Sequence, residues 1–256
     1  MVEAVAIWES VGGGTAASAR LRLENAGYDP TLADDLEPLL GNAEAAAAQV
    51  VVAQYGGILT DSASVLVVVD QWTLDGQGEV RAGGTTLDIR LQTDEPQWMV
   101  TDVRPARWGD DGSELSRVVR RLLENDRVRL PFAAVSDVRA GVIDDSVLRA
   151  LALLAETYRL DVSILRSGHP LRVYGTDRIS NHTEGRAVDI WAIDGRPLIE
   201  LGADPVVTDL MRAASGVGAH QIGGPADLDG GDLVYFADDT HQDHIHLGFL
   251  PEPLRG

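Results

Sequence analysis

The chain contains no cysteine. That excludes disulfides, thiolate nucleophiles and the cysteine-rich class of structural zinc sites. Lysine is absent as well, so arginine supplies all 21 basic residues; this is read as the mark of a GC-rich genome rather than of chemistry. Histidine is missing from the whole first half. The six that occur (His169, His182, His220, His241, His244 and His246) all lie in the second, and any imidazole chemistry belongs there. Long apolar runs are also lacking. Ala63–Val69 is the longest strongly apolar stretch and Asp70 ends it, far short of the ~20 residues that span a bilayer. The opening MVEAVAIWES has neither the basic start nor the apolar core of a signal peptide. Positive charge is scarce throughout. Formal net charge is −19, with 6 Arg against 16 acidic residues in 1–107 and 15 against 24 in 108–256. Neither half offers the basic stripe that a phosphate backbone requires, so nucleic acid is excluded as a partner.

What remains is ordinary globular material. The chain has 256 residues, 45% of them hydrophobic and 24% charged, enough for two domains with real cores. The pattern predicts an α+β protein divided into residues 1–107, a polar linker with a short helix at 108–128, and residues 129–256. In the first part, Ala-rich Leu36–Tyr55 reads as helix, broken near Gly41–Asn42 and stopped by Gly56–Gly57. Strands are expected over Ala63–Leu74, Val80–Gln92 and Gln97–Val103, punctuated by Asp75–Gly76 and Asp94–Pro96. Helices ahead of an antiparallel meander resemble the cystatin-like, cone-shaped domains. With no histidine or convergent acid cluster, this part reads as an accessory module for spacing, protein docking or assembly.

In the linker, Ser113 is the expected N-cap of a helix over Glu114–Asn125. Beyond it, Asp144 or Asp145 is expected to cap a helix through Tyr158, whose apolar positions form one stripe. Asp204–Pro205 opens a helix through Ala214. Asp161–Arg166, Leu233–Ala237 and His244–Leu250 read as strands.

Three segments stand out, the third, Arg166-Ser167-Gly168-His169-Pro170, more weakly than the other two. In His241-Gln242-Asp243-His244-Ile245-His246, strand alternation aims His244 and His246 at one face and Ile245 and Leu247 at the other. In Ser180-Asn181-His182-Thr183-Glu184-Gly185-Arg186-Ala187-Val188-Asp189, Gly185 permits a tight turn into a strand. On that strand Asp189 shares a face with small Ala187. A mid-strand carboxylate seven residues after His182 reads as half of a metal pair.

The spacing Ser180-x-His182-x-x-Gly185-x-Ala187-x-Asp189 is similar to the S-x-H-x-x-G-x-A-x-D signature of the LAS metallopeptidases. That group is named after lysostaphin, the D-alanyl-D-alanine metallopeptidases and sonic hedgehog. The closing His241-x-x-His244-x-His246 resembles the variant in penicillin-insensitive murein endopeptidases. The resemblance covers roughly Leu130–Phe249. It implies a hedgehog/DD-peptidase-like fold with His182, Asp189 and His246 as ligands of one zinc per chain. The implied activity is hydrolysis of peptidoglycan peptide bonds, as D,D-carboxypeptidase or endopeptidase, at a bacterial cell surface or elsewhere outside the cytoplasm. Two neutral imidazoles and one carboxylate suit zinc rather than magnesium or calcium, and three ligands leave a position for water.

Many relatives carry E-x-x-H, with Glu as general base. Here the position three before His246 is Asp243, one methylene shorter. His244, on the face of His246, is therefore the first choice for base or oxyanion partner, with Asp243 and His241 next. His169, Ser180 and Arg178 are the candidates for substrate contact, and Arg166 and Arg172 are weaker ones. The rival expectation is a non-catalytic zinc-binding recognition module at the cell surface, since the hedgehog branch binds metal without this chemistry.

Overall fold

The computed structural model describes residues 8–10, 12–94, 96–107, 109, 115–231 and 234–251. The chain is α+β and falls into two compact units. One comprises Met1–Arg107 with Pro131–Ala133, the other Trp108–Leu130 with Ala134–Gly256. Among the described residues no helix is long and apolar enough to cross a membrane.

In the first unit, helix α1 (Ala16–Asn25) starts where the Thr15 side chain accepts from the Ser18 amide. A 3-10 helix follows at Pro30–Leu39, opened by Asp29 and Pro30. Four strands then form an antiparallel meander in chain order: β1 (Ala45–Ile58), β2 (Ser62–Leu74), β3 (Val80–Asp94) and β4 (Gln97–Pro105). Leu23, Leu32, Leu36 and Leu39 from the helical segments pack on Val69, Leu87, Ile89 and Val103 of the sheet.

The predicted helix over Leu36–Tyr55 is corrected. Its first residues end the 3-10 helix, and the Ala-rich part is the long edge strand β1, paired with β2 from Ala45↔Leu74 to Ile58↔Ala63. The alanine run is too short to sustain a helix alone, and Val50–Val52 and Tyr55 favour the pleated pairing that β2 offers. The helix lies instead at α1, which the pattern did not announce. The turn residue Glu95 lies outside the described residues.

The second unit contains α2 (Arg117–Leu123), β5 (Val128–Arg129), α3 (Phe132–Arg139, apart from its first two residues), α4 (Asp145–Leu154), β6 (Leu160–Ile164) and β7 (Ala187–Ile193). It continues with β8 (Arg196–Pro197), α5 (Leu198–Leu201), α6 (Pro205–Gly216), β9 (Gln221–Gly223), β10 (Tyr235–Phe236) and β11 (Ile245–Gly248). The sheet runs in the order β10-β9-β11-β7-β6-β5, with β8 on β7. The pairs β9–β11, β11–β7 and β7–β6 are antiparallel, and the two outer pairs are parallel.

Asp144 and Asp204 cap α4 and α6 as their positions predict, each side chain accepting an amide two residues on. The apolar stripes of those helices, with Leu148, Leu151, Leu210 and Met211, bury against Val188, Ile190, Ile222, Ile245 and Leu247. Strand alternation therefore spends one face of β7 and β11 on the core and leaves the other for Asp189 and His246.

Several boundaries move. Helix α4 ends at Leu154 rather than Tyr158, where Ala155 begins a turn. The expected linker is not one: Val119 and Leu122 of α2 are buried in the core of the second unit, and the cap is Ser116, whose side chain accepts from the Val119 amide. Ser113 and Glu114 lie outside the described residues, as does Leu233 at the head of the expected strand at 233–237, of which Tyr235–Phe236 is formed. The last strand begins at Ile245, one residue after His244.

Candidate metal centre

Strand register builds the centre. β11 and β7 pair with His246 opposite Asp189, so two side chains separated by 57 residues stand side by side on one sheet face. The third, His182, arrives on the loop that enters β7. That loop is folded by its own sequence. The Ser180 hydroxyl accepts from the His182 amide, the Gly185 amide donates to the His182 carbonyl, and the Arg186 amide to the Asn181 carbonyl.

Gly185 has φ +69°, and a Cβ there would lie 2.0 Å from the Val142 carbonyl oxygen. Its own carbonyl accepts from the Asp144 amide, which ties the loop to the start of α4. Gly185→Ala is expected to cost about 2–5 kcal/mol in urea unfolding, from left-handed strain plus overpacking. Gly195→Ala is the control, since Gly195 has φ +78° but nothing within 4 Å of the added methyl. A Gly185→Ala loss no larger than the control's would remove the assigned role of the close approach.

Three donor atoms converge. His182 Nε2 lies 3.0 Å from Asp189 Oδ1 and 3.1 Å from His246 Nδ1, and His246 Nδ1 lies 3.0 Å from the same Asp189 oxygen. His182 Nδ1 donates to the Leu165 carbonyl at 2.6 Å. In the neutral ring that leaves Nε2 a lone pair, directed at a carboxylate oxygen that can only accept. Either a second proton on His182 or a cation among the three atoms resolves this contact. Donors bonded to one zinc ion at 2.0–2.1 Å lie about 3.3 Å apart in a tetrahedral set, so the triangle need open by only a few tenths of an ångström. The residues fit a metal ion.

His169 joins them. Its ring stacks on His182 with centroids 4.2 Å apart and planes 15° apart. Donor atoms of His169, His182 and Asp189 all fall within 4.8 Å of one another. His169 Nδ1 lies 2.8 Å from the Pro170 carbonyl oxygen, which as an acceptor places the ring proton there.

Around the triangle stand two Asp–His pairs. Asp243 Oδ1 is 2.7 Å from His244 Nδ1, whose other ring nitrogen lies 3.7 Å from Asp189 Oδ2. Asp238 Oδ1 is 2.7 Å from His241 Nδ1. The His241 ring lies 5.0 Å from that of His244, 5.8 Å from that of His246 and 4.8 Å from Phe236. Gly223, paired with His246, makes room for this wall: a Cβ there would meet Phe236 at 2.5 Å and His241 at 2.8 Å.

The electrostatics follow the geometry. Burial alone would raise the Asp189 carboxyl, but the His182 and His244 imidazoles and two hydrogen bonds hold it well below the usual carboxylate range. Burial lowers His246 to about 4 against the pull of Asp189. Burial and the neighbouring His182 push His169 well down. Burial would lower His244 too, but Asp189 and Asp243 outweigh it and raise the ring above its ordinary value.

The expected substrate-contacting residues separate. His169 is at the centre. Ser180 is buried, and its hydroxyl accepts from the loop backbone, so it shapes the His182 turn rather than facing a ligand. Arg178 is exposed on the bridged loop joining Arg172 to Ile179, and its side chain makes no ion pair with the cluster. Arg166 is committed elsewhere, its Nε donating to the Thr183 carbonyl and its amide to Asp137. His220 stands apart, its amide on the Gly248 carbonyl.

Three residues were missed from sequence. Asp238 could have been found from its i,i+3 spacing to His241. Gly223 sits in a Gly-Gly pair that reads equally as a turn. Asp137 carried no signal: it is buried on α3 and accepts from the Arg166 and Ser167 amides and the Ser167 hydroxyl, fixing the loop that bears His169. Burial raises its carboxyl above the ordinary value, against those hydrogen bonds.

Comparison of the chain with family models, curated proteins and solved structures finds no match.

Proposed function

We propose that the second unit is a zinc-dependent peptidase of the LAS type, acting on peptide bonds of peptidoglycan, with His182, Asp189 and His246 as the metal ligands. The observation that carries this reading is the triangle of His182 Nε2, Asp189 Oδ1 and His246 Nδ1, with sides of 3.0–3.1 Å and the His182 lone pair turned inward by the Leu165 carbonyl. It is formed by residues of the two motifs whose spacing resembles that group. A zinc ion held there by His182, Asp189 and His246 would supply Lewis acidity toward water and toward a carbonyl oxygen.

The chain's own groups supply the rest. Solvent reaches the cluster from one side: the His182 side chain is 1% exposed and Asp189 3%, whereas His246 is 12% and His241 18%. A peptide therefore approaches along His246 and His241, with His169 beside His182 in the wall. The Asp238 carboxylate fixes the His241 proton on Nδ1, which leaves Nε2 of the neutral ring free to accept a proton from the attacking water and pass it to the leaving amine. Asp243 fixes His244 in the same sense, and His244 stands behind the second oxygen of Asp189. Arg178, unpaired with the cluster, is free to meet a substrate carboxylate. Such a substrate puts the site of action outside the bacterial cytoplasm. The first unit, under this reading, is a cystatin-like accessory module.

The test is mass spectrometry of purified peptidoglycan after incubation with the full chain. Released amino acids or peptides are expected, absent after chelation and restored by added zinc. Protein that holds about one zinc per chain yet releases nothing is a recognition module instead.

A further inference from the structure

The first unit has no imidazole and, among the described residues, no cluster of acids that could hold a metal ion, but it is not featureless. Between the 3-10 helix and the inner face of the sheet lies a cavity of about 250 Å³. Its floor is fully buried: Leu36 and Leu39 from the 3-10 helix, Val69 from β2 and Leu87 from β3. Strand register extends the lining to the sheet edge, with Val50 of edge strand β1 paired directly to Val69. The mouth is open, because Tyr28, Val50 and Ala53 at the rim are exposed.

We propose that this cavity binds one small, uncharged, apolar molecule, of one or two fused rings or an equivalent short hydrocarbon.

Size, polarity and charge each point to that class. A dry apolar cavity of about 150 Å³ already accepts benzene, and drug-sized ligands take about 300–1,000 Å³, so this space suits a ligand between them. A partner helix, about 10–12 Å across with its side chains, is too broad for it. Water is a poor occupant, since a buried water needs two to four polar partners. Among the described lining residues the Tyr28 hydroxyl is the one polar side-chain group. None of the described lining residues carries a charge that could pair with a ligand's head group. An anionic amphiphile meets further opposition from a segment with 16 acidic residues against 6 Arg over 1–107. The occupant is therefore neutral. This inference does not depend on the metal reading of the second unit.

The test uses the full chain and two fluorescent probes of the same ring size, neutral 2-naphthol and anionic 2-naphthoate. Titration with 2-naphthol should saturate at one molecule per chain, and 2-naphthoate should bind at least about tenfold more weakly. Ala53→Phe places an aromatic ring in the cavity from an exposed lining position, and Val100→Phe does so from a half-buried one packed against the floor. Each should weaken 2-naphthol binding at least about tenfold by filling the space, with the thermal midpoint of Ala53→Phe unchanged. Failure of 2-naphthol to saturate in the wild type overturns the proposal, whatever the variants do. So does binding of 2-naphthoate as tight as that of 2-naphthol, or full 2-naphthol binding by both folded phenylalanine variants.

Discussion

Asp189→Ala is expected to empty the metal centre while the second unit stays folded. The carboxylate is the shared corner of the triangle: its Oδ1 is 3.0 Å from both His182 Nε2 and His246 Nδ1, and its Oδ2 faces His244. Without it, the ligand set shrinks from three to two and loses its only anion. Replacing residues merely behind metal ligands commonly weakens affinity about 10–100-fold, so losing a ligand should cost more than about 100-fold. Zinc in protein purified without chelator should fall from about one per chain to a small fraction of that. Thermal melting supplies the second readout. A metal that binds only the folded chain raises its midpoint, so chelation should lower the wild-type midpoint and leave that of the variant unchanged. Full zinc content in the variant would falsify the ligand assignment. An equal chelator response in both proteins would place the metal elsewhere.

The core side of this site was legible because β-strand alternation is local information. Val188 and Ile190 around Asp189, and Ile245 and Leu247 around His246, announce which way the polar residues turn, and all four are buried in the core. The caps Asp144 and Asp204 were readable for the same reason: each helix start is written within three residues. What could not be read is long-range. Nothing near Ala45 states that it will pair with Leu74, so intrinsic helix preference prevailed on paper and the sheet prevailed in the fold. Nor does anything local say that His246 will face Gly223 on one side and Asp189 on the other. The helical residues Val119 and Leu122 lie in so polar a stretch that it read as a linker, although both reach the core. The motif around His182 was legible as a spacing. Its reasons became visible only in three dimensions: a hydroxyl holding a backbone amide at Ser180, and a Cβ-free approach to a carbonyl at Gly185.

The start of the last strand bears on which histidine moves the proton. Alternation through an extended His244 would set that ring beside His246 on the open face. The strand begins instead at Ile245, after the short 3-10 turn Thr240–Gln242, and His244 lies buried behind Asp189 with its Nδ1 held by Asp243. The more exposed ring is His241, held by Asp238 and walled by Phe236. The two histidines should therefore fail differently. His241→Ala is expected to keep its zinc and lose about 10²–10⁴-fold in kcat, as removal of a proton-transfer group does. His244→Ala should lose turnover and zinc together, because it withdraws the support behind a ligand; its affinity loss should be about 10–100-fold. Asp243→Asn should follow His244→Ala at smaller amplitude, and Asp238→Asn should lower kcat with zinc retained. The comparison needs kcat and zinc content measured on the same preparations of all four variants. If His244→Ala keeps full zinc but is dead, and His241→Ala turns over like the wild type, the proton passes through His244 after all. The buried Asp243–His244 pair, rather than Asp238–His241, would then be the catalytic one.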